Sequence, residues 1–277
     1  RNMLQVNTGA RTEGKKKAPI FSEIGQLSGI SNTDWSWAAL FADYDNDGWK
    51  DLLITNGNLR DFTNMDFVRY MGDHLKRIEG QVKREAVLDL VYQMPSSNMK
   101  NYLYKNNQDL TFTNLADQWG LSEISNSGGA VYADLDNDGD LDLVINNINK
   151  PAFIYQNEGN HKLKNNYLKV ELLGQRKNTL GLGAKVTIYQ GGKIQYLEQM
   201  PTRGYQSSVS PLLHFGLGQT TEIDSLEIIW LGGKSQKVMK PKVNQQLKLS
   251  ESEAELGKFV PASVQPAFTQ TVSPIPY

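Results

Sequence analysis

Two short stretches of this chain each hold four carboxylates in a nine-residue window, and no fold can bring such charges together without neutralising them. The first is Asp43-Tyr44-Asp45-Asn46-Asp47-Gly48-Trp49-Lys50-Asp51, and the second is Asp134-Leu135-Asp136-Asn137-Asp138-Gly139-Asp140-Leu141-Asp142. In both, aspartates stand at positions 1, 3, 5 and 9 with glycine at 6. Bare carboxylates at this spacing repel one another. A hard cation that takes six to eight oxygen ligands at roughly 2.3–2.6 Å removes the repulsion, and calcium fits that description best. Glycine at position 6 permits the sharp turn that wraps a loop around an ion.

The loops are not EF-hands. That motif needs a bidentate glutamate at position 12 and a helix on each side. Position 12 here is Ile54 in one loop and Ile145 in the other. Each loop runs into an apolar stretch, Asp51 to Thr55 and Asp142 to Asn146, and each follows one, Trp37 to Ala42 and Gly129 to Ala133. Such short apolar runs read as buried strands, so each site is strand–loop–strand. The expected side-chain ligands are Asp43, Asp45, Asp47 and Asp51, with the carbonyl of Trp49 at position 7. The matching set is Asp134, Asp136, Asp138 and Asp142, with the carbonyl of Asp140. Two calcium ions are expected.

The similarity extends beyond the loops. Asn2 to Asn7 followed by Phe21-Ser22-Glu23 parallels Asn101 to Asn106 followed by Phe112-Thr113-Asn114, and a third start lies at Phe153 to Gly159. An apolar residue stands three before an asparagine each time: Leu4/Asn7, Leu103/Asn106 and Ile154/Asn157. Repeats of several short strands stack radially or linearly, as in propellers. On these residues the chain resembles the FG-GAP/VCBS repeat proteins, whose units are β-propeller blades with an acidic calcium loop between two strands. The resemblance implies a structural calcium role for the aspartates named above. Two full repeats and one partial repeat occupy residues 1–164. A closed propeller has about four to eight blades, so either further blades lie outside this chain or the repeats pack in an open arrangement.

Residues 57–100 exceed what a minimal blade needs. Asp61 to Met94 reads as helix, with Phe67, Tyr70, Met71, Leu75 and Ile78 at three- and four-residue steps, continued by Val82, Ala86, Leu90 and Val91. Gly72 and Gly80 divide it into two or three short helices. These helices are expected to cap one face of the propeller and shape a binding cleft.

From Asn165 the pattern becomes all-β, of the size of a small sandwich or barrel. Val186 to Gln190, Gly191-Gly192 and Lys193 to Leu197 form one hairpin signal; Leu226 to Trp230, Gly232-Gly233 and Ser235 to Val238 form a second. Gly183-Ala184-Lys185-Val186, Arg203 to Ser208, Leu212 to Gly218 and Ile229 to Gly233 make residues 165–251 similar to the ASPIC/UnbV domain, which follows FG-GAP repeats in the cartilage acidic protein family and many bacterial proteins. Residues 252–277 read as a Pro/Ser/Thr-rich linker, with Phe268-Thr269-Gln270 approaching a further repeat. The fold class expected is thus mainly β: calcium-looped propeller blades with a helical insertion, then a small all-β domain.

Function classes narrow by exclusion. The 277 residues contain no cysteine, which removes thiol catalysis and thiolate metal sites. A net charge of −1 does not suit a nucleic-acid partner. No stretch approaches the roughly 20 apolar residues of a membrane helix. The three histidines, His74, His161 and His214, lie in unrelated segments, and His214 reads as structural. Trp35-Ser36-Trp37 and Arg203-Gly204-Tyr205 offer rings for sugar or partner contacts, with packing inside a blade as the plainer role. Extracellular calcium modules bind at about 10⁻⁴–10⁻³ M, far above cytosolic calcium, which points to export. The reading is a calcium-stabilised binding or scaffold module at a bacterial cell surface, part of a longer exported protein, with a glycan or protein partner. A propeller-based polysaccharide lyase or hydrolase, and a subunit of an outer-membrane uptake or adhesion assembly, are the competing readings.

Overall fold

The computed structural model describes residues 1–13, 16–77, 83–97 and 99–256. Strands β1 (Gln5–Glu13) and β2 (Lys16–Glu23) form an antiparallel hairpin. Next come β3 (Ser36–Ala42) and β4 (Asp51–Asn56), which pair antiparallel across the first acidic loop, with Ala42 opposite Asp51 and Leu40 opposite Leu53. Every residue of β4 is buried, which is why it reads as an unbroken apolar run rather than an alternating one.

Helices α1 (Met65–Lys76) and α2 (Arg84–Gln93) follow. Asn64 caps α1 by accepting the Phe67 N–H at 3.0 Å. The expected helical insertion is therefore two helices, with Ile78, Gly80 and Val82 outside the described residues. Helix α1 buries no residue and α2 buries only Leu90. Among the described residues the insertion does not line the two cavities of about 550 Å³, and its expected role as a cleft wall is not tested by them.

The sheet resumes with β5 (Met99–Lys100), β6 (Tyr102–Asn106), β7 (Phe112–Asn114) and β8 (Ile124–Ser125). Strands β3-β4-β6-β7 make a four-stranded meander, and β5 pairs with β8. Strands β9 (Ser127–Ala133), β10 (Asp142–Asn147) and β11 (Phe153–Tyr155) repeat the first three strands of that meander, with Ala133 opposite Asp142 across the second acidic loop. The repeat seen in the sequence is therefore a repeat of sheets. The two sheets share one core, in which Leu40, Leu53 and Leu103 meet Ala130, Tyr132, Leu143 and Ile145. Among the described residues these sheets do not close into a ring.

The short helix α3 (Gly159–Leu163) leads into the second β region. It comprises β12 (Asn166–Leu173), β13 (Lys185–Gln190), β14 (Lys193–Glu198), β15 (Leu213–Gly218), β16 (Ser225–Ile229), β17 (Lys234–Met239), β18 (Gln245–Ser250) and β19 (Glu255–Leu256). Sheet β15-β12-β18 faces sheet β14-β13-β16-β17-β19, a two-layer sandwich filled by Leu168, Phe215, Ile188, Leu226, Ile228 and Trp230. Both expected hairpins, β13–β14 and β16–β17, are present. The core runs as far as Ala254. The segment from 257, including Phe268-Thr269-Gln270, lies outside the described residues.

The sandwich is not tethered loosely. Val209 is buried in the core of the repeats, with Tyr205 packed against it, and β12 and β15 lie directly on the acidic loops.

Candidate metal centre

Both acidic loops adopt the same backbone. Position 4 is left-handed, Asn46 with φ 58° and Asn137 with φ 63°, and position 6 is glycine at φ 94° in each. Asparagine tolerates the left-handed region better than most residues, and glycine enters it freely. The position-1 carboxylate then turns back over the loop. Asp43 accepts the Asp47 and Gly48 N–H groups at 3.0 and 2.8 Å, and Asp134 accepts that of Gly139 at 3.0 Å. The position-9 carboxylate closes the other side: Asp51 accepts from Tyr44 N and Asn106 N, and Asp142 from Leu135 N and Asn157 N. Asn106 and Asn157 are the repeated asparagines of the sequence. Their side-chain amides also donate to the position-8 carbonyls, those of Lys50 and Leu141, at 3.0 and 3.2 Å.

The structure gathers the expected ligands in part. Asp43, Asp45 and Asp51 each bring one oxygen within 4.8 Å of the others, and so do Asp134, Asp136 and Asp138. Asp47 turns away to accept the Trp49 N–H and the Lys105 ammonium. Asp142 stands outside the second trio with both oxygens on backbone N–H groups. The Trp49 side chain is exposed, whereas that of Asp140 is buried and accepts the Asn160 N–H at 3.0 Å.

A lysine ammonium bonds to each cluster, supplied differently, and Lys50 adds its charge beside Asp43 and Asp51 in the first. Lys105 binds Asp45 and Asp47 in the first. Burial weakens the Lys105 ammonium, but its bonds to Asp45 and Asp47 outweigh this and raise its pKa. The equivalent residue of the next repeat is Gln156, which donates to Asp136 at 2.7 Å and lowers that carboxyl's pKa. The second cluster instead receives Lys169 from β12, whose Nζ lies 2.5 Å from Asp134 in a pair with side chains only 6% and 3% exposed.

One residue that the sequence reading passed over ties the junction together. Asn46, 1% exposed, donates to Gly139 O at 3.0 Å and to Asn160 Oδ1 at 3.1 Å. With both amide protons so used, its Oδ1 accepts from His214 Nε2 at 2.6 Å, and its backbone carbonyl accepts from Gly218 N. Asn165 adds a bond to Asp45 O. Burial, helped by Lys50 and Lys169, lowers the His214 pKa to about 3, so the ring is neutral and structural. Strand β15 comes so close that a methyl group at Gly216 would overlap Asp43 and the Asn46 backbone, and one at Gly139 would strike the Tyr167 ring.

The donor set fits a hard divalent cation. All the gathered donors are carboxylate oxygens, and Asp134 Oδ1, Asp138 Oδ2 and Asp140 Oδ1 are buried without a hydrogen-bond donor among the described residues. Orphaned buried acceptors are costly and rare. Burial also pushes Asp43 up to about 7, Asp51 to about 8 and Asp140 to about 7, neighbouring carboxylates adding to each.

These shifts give a pH signature. The folded values exceed the unfolded value of about 4, so in metal-free protein the folded form holds the extra protons. Their contribution to stability is full below about pH 4 and is lost as pH rises through about 7–8. A cation needs the carboxylates deprotonated, so its protection grows over the same window. The gap in melting temperature between calcium-loaded and metal-free protein should widen from about pH 5 to about pH 8.5; a constant gap would refute the assignment.

With this geometry in place, comparison with known families is direct. Residues 174–256 match the family described as ASPIC and UnbV, and residues 87–145 match the FG-GAP-like repeat. The chain thus carries a stretch similar to the FG-GAP-like repeat, followed by one similar to the ASPIC and UnbV family. The FG-GAP-like match contains the second acidic loop whole; the first is tied to it by the shared backbone. Proteins named cartilage acidic protein 1 are similar: 30% identity over 152 residues in Mus musculus, 28% over 171 in Xenopus tropicalis and 32% over 129 in Homo sapiens. The aligned regions cover 51%, 58% and 44% of this chain and 23%, 26% and 19% of those proteins, so the chain spans about a quarter of their length. Among the described residues no helix is long and apolar enough to cross a membrane.

Proposed function

We propose that this chain is a calcium-stabilised binding or scaffold module of extracellular type, whose two ions lock the FG-GAP-like repeats to the ASPIC and UnbV sandwich. One observation carries the reading. Both acidic loops are contacted by the sandwich, and the second holds three buried carboxylate oxygens with no donor among the described residues. In the first, Asp43, Asp45 and Asp51 would hold the ion, and in the second Asp134, Asp136 and Asp138. The cation would supply charge neutralisation and rigidity, not chemistry. A rigid junction of this kind presents loops from both regions on one frame, which suits recognition of a glycan or protein partner outside the cell.

Immobilised protein, exposed to a polysaccharide panel and to extracellular matrix or envelope proteins in calcium and in chelator, tests the binding role. Retention of a partner in calcium, lost in chelator, with no cleavage products in the eluate, is the expected result. Release of shortened polysaccharide would replace the module with an enzyme.

A further inference from the structure

Two aromatic motifs far apart in the chain meet across the junction. The ring centroids of Trp37 and Tyr205 lie 4.7 Å apart with the planes tilted 46°, and Trp35 continues the row 6.3 Å from Trp37. Trp37 and Tyr205 line a cavity of about 550 Å³ over β9 and β10. That volume is in the usual range for small-ligand sites.

The local backbone is shaped to leave this space. Gly204 and Gln206 take positive φ of 78° and 48° on either side of Tyr205. Strained turns of this kind cluster at ligand sites. Gly129 allows the loop to approach, since a Cβ there would lie 2.6 Å from Ser207 Oγ and 2.8 Å from Tyr205 O. Its neighbour Gly128 has the opposite character: a Cβ there meets nothing within 4 Å, so the missing side chain keeps the cavity floor open.

We infer that this cleft is a subsite for an uncharged saccharide, stacked on Tyr205 and Trp37 and hydrogen-bonded by Asn146 and Gln206. The inference rests on the binding-module reading and gives it a place and a ligand class. Aromatic faces match the C–H faces of sugar rings. Apart from the Tyr205 phenol, no ionisable side chain among the described residues lines the cavity, which suits a neutral sugar rather than an acidic one. Among the described residues the side-chain amides of Asn146 and Gln206 have no protein hydrogen-bond partner, so both are open to hydroxyl groups. A proline-rich peptide also stacks on such rings. It has no N–H to give, so the amide oxygens of Asn146 and Gln206 would stay unmatched, whereas a sugar hydroxyl both donates and accepts.

The test is calorimetric titration of the full chain, in calcium, with cellohexaose, xylohexaose, mannohexaose and chitohexaose, and with a decaproline peptide as contrast. At least one of the oligosaccharides should bind. Tyr205→Ala should weaken that binding about tenfold or more, the size of effect seen on truncating a central aromatic anchor. Gly128→Val, which fills the floor and leaves both rings in place, should do the same with an unchanged melting temperature, so the test stands even if Tyr205→Ala unfolds the loop. Oligosaccharide binding untouched by both variants would overturn the site while leaving a sugar-binding module intact. A wild-type chain that binds none of the four, or only decaproline, would overturn the ligand class and leave the calcium-locked module standing.

Discussion

Excess chelator is expected to lower the melting temperature of this protein by about 10–20 °C, and added calcium to restore it. A ligand at about a hundred times its Kd stabilises the folded state by about 2.7 kcal/mol per site, and two sites are proposed. For a chain of this size each kcal/mol moves the transition by about 2–4 °C. The magnitude follows from what the ions replace. Without them the charge of Asp43, Asp45 and Asp51 is offset by protons, Lys105 and Lys50, and that of Asp134 by Lys169. Asp45→Ala and Asp136→Ala should each remove about half of the calcium-dependent shift. Scanning calorimetry decides the matter: identical transitions in calcium and in chelator would refute the metal sites.

Lys169→Met should produce the second large effect, and one that depends on calcium. The Lys169–Asp134 pair is almost fully buried, and removing one partner of such a pair costs about 3–5 kcal/mol because the other charge is left without compensation. In chelator the full loss is expected. In calcium the ion takes over neutralisation of Asp134, and the loss should fall to about 1 kcal/mol, mainly packing of the lysine stem. Urea unfolding under both conditions measures the difference. Equal losses would place the cation away from Asp134.

What was legible in the sequence was local. The strands beside each loop, the glycine turns at Gly191-Gly192 and Gly232-Gly233 and the inserted helices all follow from patterns within a few residues, where period and turn chemistry act. The matched backbone of the two loops was also implied by their matched residues. The contacts that assemble the site were not legible, because they join residues far apart in the chain. Asn46 looked like filler between two ligands, yet its left-handed φ and four hydrogen bonds make it the knot of the junction. Its recurrence as Asn137 at the same position was the one available signal. Lys169 sat in a strand pattern as an ordinary alternating polar residue, and only the docking of β12 shows its partner. Trp37 and Tyr205 were separately visible as aromatic motifs, but their meeting depends on the same docking. The insertion was legible as helix but not in its role, since helical periodicity reports an apolar stripe without saying what covers it.

Strand β12, which brings Tyr167 and Lys169 to the second loop, is the middle strand of its sheet. Its parallel neighbour β18 spans Gln245–Ser250, with Leu168 opposite Gln245. During synthesis the acidic loops therefore leave the ribosome long before the sheet that covers them can be completed. Domains formed early in a chain fold first, so the nascent repeats pass through an interval in which both clusters face the surrounding fluid. The order of translation thus gives an ion free access to the first site, whose three carboxylates the finished molecule buries, and a compartment poor in calcium at that moment would leave the late-arriving sandwich to close over them bare.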